Sequence, residues 1–227
     1  MSQANTTRPP DHDLGTLRGR IGARLHFLFI DHQLLRLFWR NTHEIAPGVW
    51  RSNQPGPARL RRFRARGIRT VLTLRADLPR SYTLLEARAC ARLGLRFVRG
   101  PSLAARVLLP RDRLLALEAR FRELQDAKPL VMHCKSGADR TGLGAALWLV
   151  LIEGRDVQEV LDTQFTRARI HFPRSRAGVV SHIFRAYLRE AEGRDFRSWL
   201  LTDYDPDRLT ADFADWRDGR GRWATRR

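Results

Sequence analysis

Val131-Met-His-Cys-Lys-Ser-Gly-Ala-Asp-Arg-Thr-Gly-Leu-Gly144 decides how this chain is read. A short apolar run, Pro129 to His133, leads into Cys134. Arg140 follows six residues later, and Thr141-Gly142 opens a long apolar segment. The pattern predicts a strand, a tight loop and the N-terminus of a helix. Backbone N–H groups of Lys135 to Arg140, including those of Ser136, Gly137 and Ala138, are expected to converge on an anion, with the positive end of the helix dipole behind them. The same field lowers a cysteine pKa and makes thiolate available at neutral pH. A phosphoryl cradle with a nucleophile at its base is the expected chemistry.

The cysteine-to-arginine spacing alone does not establish this. Of 42 basic residues only Lys128 and Lys135 are lysine, so an arginine six positions after any cysteine is an ordinary coincidence. The β-like lead-in, His133, Ser136-Gly137 in the turn, Thr141 after the arginine and the apolar helix carry the signal together. In that combination the stretch resembles the signature of the cysteine-dependent protein-tyrosine-phosphatase superfamily, and its Ala-Asp-Arg-Thr-Gly ending resembles bacterial dual-specificity-like members. Arg51-Ser-Asn-Gln-Pro55 is similar to the first strand and turn of those proteins. The similarity spans roughly 45–189.

The resemblance implies a metal-independent phosphomonoester hydrolase with no cofactor. Cys134 is the implied nucleophile, forming a phosphocysteine. Arg140 clamps phosphoryl oxygens through its planar fork. Thr141 serves the sulfur as leaving group, and His133 orients the loop. The general acid is less direct. Dual-specificity phosphatases keep an aspartate about 30 residues before the cysteine, but 99–106 here holds no carboxylate. Asp139, inside the loop as in myotubularin-like and some bacterial phosphatases, is favoured over Asp112, which decorates the first turn of a helix. Asp139 paired to a nearby arginine, as a loop stabiliser, is the competing expectation. Lys135 and the stretch 166–176, with Arg167, Arg169, Arg174 and Arg176, are candidates for reading further phosphates. Some relatives protect the nucleophile with a second thiol, so a Cys90–Cys134 disulfide stays open.

Elsewhere, 43% hydrophobic and 29% charged residues describe a globular chain of one main domain. Two cysteines make no disulfide framework, and a catalytic thiol needs a reducing compartment. No signal-like N-terminus and no apolar run near 18 residues is present, so a cytoplasmic location is expected. Net charge is +18, which suits an acidic partner such as a lipid surface or polyphosphate. Nucleic acid is the less favoured partner.

Strands alternate with helices and give way to a helical run. The expected fold is α/β, with a central, mostly parallel sheet flanked by helices. The expected organisation is a disordered leader (1–15), a basic amphipathic helix (16–40), the phosphatase domain (41–201) and a polar, peripheral tail (202–227). Leu17, Ile21, Leu25 and Leu28 recur at helical spacing between arginines. That helix either packs on the domain, the commoner fate, or lies on a membrane surface. The substrate stays open between phosphoprotein and phospholipid or inositol phosphate, with an RNA 5′-phosphatase or a phosphate-holding pseudo-enzyme behind them.

Overall fold

The computed structural model describes residues 12–33, 39–75 and 80–219. Five strands form one sheet in the order β1-β2-β5-β3-β4. They are β1 (His43–Ala46), β2 (Val49–Asn53), β3 (Thr70–Thr73), β4 (Arg96–Arg99) and β5 (Leu130–Cys134). Only β1 pairs antiparallel; β2, β5, β3 and β4 run parallel. The α/β expectation holds, and so does the extra N-terminal helix.

Apolar residues on both sides of Pro47-Gly48 read as one edge strand from Ile45 to Ser52, but the chain forms a hairpin there. Pro47-Gly48 turns the chain, with Gly48 at φ +75°, a region that glycine enters without strain. β2 is therefore an interior strand beside β5, and β1 takes the edge.

Alternation along β5 divides the core. Leu130 and Met132 face the larger cluster, while Val131 joins Leu60, Phe63, Val71 and Cys90 on the other face. Helices α2 (Pro57–Ala65) and α3 (Ser81–Arg92) cover the smaller side. The larger side is closed by α4 (Arg111–Leu124), α5 (Asp139–Leu151), α6 (Val157–Gln164), α7 (Val179–Glu190), α8 (Phe196–Thr202) and α9 (Pro206–Arg217). With both faces covered, the central strand is buried throughout and apolar up to His133, as buried parallel strands tend to be. Asp156 caps α6 as its position suggests, accepting from Glu159 N–H at 2.9 Å.

Within the described residues, the segment 202–219 packs on the domain instead of lying at its periphery. Asp205 caps α9, whose Leu209 and Phe213 are buried, and Phe213 and Trp216 pack on the His182 ring of α7. Two or three apolar residues in a polar stretch suffice to dock a helix.

At the other end, Thr16 caps α1 (Leu17–Leu25), which continues as one π turn over His26–Ile30. Of the expected leader, 1–11 lies outside the described residues, as do Leu34, Leu35, Arg36 and Phe38 of the expected helix.

Candidate active site

β2, β3, β4 and β5 end together, with Asn53 opposite Cys134 and Thr73 opposite His133. The loop from Lys135 to Ala138 leaves this carboxyl end and runs into α5, where open α/β sheets place ligands. Gly137 makes the loop possible. Its φ is +72°, and a Cβ there would lie 2.6 Å from Asn53 N and 2.8 Å from the Ser52 carbonyl carbon. Any side chain would push the loop off the sheet.

The loop is held from behind. Buried Arg51 donates from Nη2 to the carbonyls of Gly137 (2.7 Å) and Ala138 (3.3 Å), and from Nη1 to Gln164 Oε1 (2.8 Å) and its carbonyl (3.1 Å). Asn41 Nδ2 donates to the same Gly137 carbonyl at 2.8 Å. These bonds to its carbonyls fix the loop from the side of β2. Burial, with Arg169 nearby, pulls the Arg51 guanidinium down to about 9, so it keeps its charge at neutral pH.

Cys134 is buried, and Gly137 N–H points at its sulfur from 3.3 Å. Burial pushes the thiol up. The charge of Arg140, the Thr141 hydroxyl and backbone, and Gly137 N–H outweigh it and hold the thiol below its ordinary value. Thr141 Oγ1 is buried and, among the described residues, has no other partner than the sulfur. Cys90 is the contrast. Desolvation, with Glu86 beside it, raises its thiol to about 12. Both cysteines are free, so the disulfide left open is not formed.

Asp139 opens α5 and reaches His171 rather than an arginine. Its Oδ1 lies 2.9 Å from Nδ1 of the fully buried His171, whose Nε2 lies 3.0 Å from Ser181 Oγ. The Ser181 hydroxyl also reaches the Gly178 carbonyl at 2.9 Å. At 2.9 Å, Nδ1 and Oδ1 are close enough to share one proton. Asp139 remains 21% exposed, so the pair is open to the site.

A second polar chain supports His133. Its Nε2 lies 2.9 Å from Glu86 Oε1. Gln54 Nε2 donates to Glu86 Oε2 at 2.8 Å, Arg75 donates to Gln54, and Arg75 grips Asp31 at 2.8 and 3.0 Å. Asp31, at the end of the π turn, also lies 3.4 Å from Lys135 Nζ. Lys135 is thereby tied to the N-terminal segment. Ser136 Oγ accepts from Ala138 N–H at 3.4 Å.

Asp112 sits exposed in the first turn of α4. The arginines of 166–176 divide. Arg169 is half-buried and donates to Thr163 O at 2.6 Å, whereas Arg167 and Arg174 line a separate cavity of about 530 Å³ with Phe165, Phe172 and Trp216.

Asn41, Arg51, Glu86 and His171 were not picked out from the sequence. They lie 32 to 96 positions from the loop residues they touch or support, a range over which spacing carries no signal.

A buried thiol held below its ordinary value by an arginine and a threonine hydroxyl, in a glycine-hinged loop at a strand's end, is an arrangement suited to nucleophilic attack on a phosphoryl group. Residues 102–200 match the tyrosine phosphatase family. Among the chain's relatives is the dual specificity protein phosphatase TpbA of Pseudomonas aeruginosa, 30% identical over 125 residues, 54% of this chain and 52% of that protein. The chain thus spans about half the length of the curated relatives it matches. Similar solved structures include P. aeruginosa TpbA (22% identity, 77% of this chain, 91% of that chain, TM-score 0.48). The core catalytic domain of the PP-IP phosphatase SIW14 from S. cerevisiae is another (15% identity, 77% and 91%, TM-score 0.45).

Proposed function

We propose that this protein is a metal-independent phosphomonoester hydrolase of the protein tyrosine and dual-specificity type. The observation that carries the reading is Cys134, a buried thiol nonetheless held below its ordinary pKa by Arg140 and Thr141. Its sulfur attacks phosphorus while Arg140 and the N–H groups of Lys135, Ser136, Gly137 and Ala138 take up charge on the phosphoryl oxygens. An S–P bond forms as the ester P–O bond breaks, and the leaving oxygen receives the proton shared by Asp139 and His171. Asp139, returned to carboxylate, then accepts a proton from water attacking phosphorus. Inorganic phosphate leaves, and the departing thiolate is stabilised by Thr141 and Gly137 N–H. His171 acts through Asp139, orienting it and holding the proton.

A second reading keeps the mechanism and changes the substrate to a phospholipid or inositol phosphate. The +18 net charge favours it, and favours work at acidic, membrane-peripheral surfaces. No helix among the described residues is long and apolar enough to cross a membrane.

Phosphate release from a phosphotyrosine peptide and from a short-chain phosphoinositide, with Cys134→Ser as blank, separates the readings. Faster release from the peptide supports the first; preference for the lipid moves the assignment to the second. Release from neither by a folded protein would sink both and leave a phosphate-holding module.

A further inference from the structure

The N-terminal helix points its apolar stripe away from the protein. Leu17, Ile21, Leu25, Phe29 and Ile30 are 67, 49, 51, 57 and 65% exposed. The side that packs is a different one. Ala23 and Phe27 are buried, His26 Nδ1 lies 2.7 Å from Ser81 Oγ at the start of α3, and Arg88 donates to Leu14 O at 3.2 Å. The helix is therefore docked on the domain by one face, and its second apolar face is left exposed among the described residues.

The π turn contributes to that geometry. A π turn holds more residues than an α turn and advances fewer degrees with each. In an uninterrupted α-helix Ile30 would follow Phe27 and Ala23 round the packing side, seven residues being two turns. In the wider turn it stays outside with Phe29.

We infer that this face docks on a membrane rich in anionic lipid. α1 and its π turn carry no acidic residue, and Arg18, Arg20 and Arg24 stand between the apolar positions. An apolar stripe edged by guanidinium groups is the composition that settles at the headgroup level of an acidic bilayer. A groove of about 690 Å³ between α1, α2 and α3 continues the pattern, with an apolar floor of Phe27, Leu60 and Leu85 and a rim that includes Arg24, Arg88 and Arg92. It is suited to an acidic lipid, chain inward and phosphate at the rim. A second copy of this chain fits less well, because stripe against stripe brings two sets of arginines together on molecules of net charge +18. The inference deepens the acidic-surface part of the proposed function, and its failure would leave hydrolysis of soluble esters untouched.

The test is sedimentation of the full chain with phosphatidylglycerol–phosphatidylcholine vesicles and with pure phosphatidylcholine. Wild type and Ile21→Asp/Leu25→Asp are compared, with hydrolysis of a soluble aryl phosphate as the control for folding. Wild type is expected to partition onto the anionic vesicles, less at high salt, and the double variant to lose about ten-fold or more while hydrolysing the aryl phosphate normally. Should the double variant fail to fold, Arg18→Gln/Arg24→Gln is expected to weaken partitioning and flatten its salt dependence. Equal partitioning of variants and wild type, no binding by wild type, or a stripe-dependent dimer in place of vesicle binding would overturn the inference.

Discussion

The phosphate loop and the N-terminal helical segment meet where Lys135 reaches Asp31, but they are finished differently. In the loop, one residue after another is committed inside the molecule: Gly137 to the turn, its carbonyl to Arg51 and Asn41, Asp139 to His171, and Thr141 to the sulfur. Along α1, Ala23 and Phe27 are committed and the outer stripe is not. α9 shows that the difference is not a property of terminal helices, since its Leu209 and Phe213 are buried. Residues completed by the fold should govern folding and chemistry. Residues left uncompleted should govern association.

Substitutions in the loop should therefore abolish turnover and spare vesicle binding, the reverse of the stripe. The largest effect is expected from Cys134→Ser, with turnover down by about 10³-fold or more. Vanadate should still bind and vesicle partitioning should not change. Arg140→Ala follows, with about 10²–10³-fold lost from kcat/KM. It should also move alkylation of Cys134 by iodoacetamide to higher pH, because the charge that holds the thiol down is gone. Cys90, at about 12, should stay unreactive in both proteins.

Asp139→Asn and His171→Gln come next. Each should cost about 10²-fold on an alkyl phosphate and far less on an activated aryl phosphate, which needs no proton for its leaving oxygen. Equal losses on both substrates would mean that the pair only shapes the loop.

The smallest effect concerns the C-terminal pole. Burial, with Arg189 and Arg185 nearby, lowers His182 to about 4, so the fold holds it neutral. The unfolded chain takes up the proton first. Stability should be complete above the ordinary histidine value of about 6.5 and fall by up to about 3 kcal/mol as pH drops toward 4. Thermal melts of wild type and His182→Gln across that window should converge at the acid end.

Much of the site was legible because its chemistry is contiguous. Strand, loop and helix follow one another from Leu130 to Leu151, so Cys134, Arg140 and Thr141 could be placed from local pattern alone. The parallel sheet was legible from the alternation of strands and helices. The hairpin at Pro47-Gly48 was not, because apolar residues on both sides of the turn read as one strand. Asp139 was read as the general acid, with an arginine-paired loop stabiliser as the competing role; neither reading named His171, 32 positions downstream. Arg51 was one arginine among many until the fold buried it under the loop. α9 was misread because its buried residues are few and widely spaced. The stripe on α1 was visible as periodicity, but spacing cannot tell an inward face from an outward one.

The central claim is that Cys134 carries phosphate during turnover. Wild-type protein mixed with a phosphotyrosine peptide, quenched rapidly in acid and examined by peptide mass spectrometry should show a phosphoryl group on Cys134, and more of it in Asp139→Asn, where hydrolysis of the intermediate slows. Turnover of the peptide with no phosphorylated Cys134 in either protein would contradict the account.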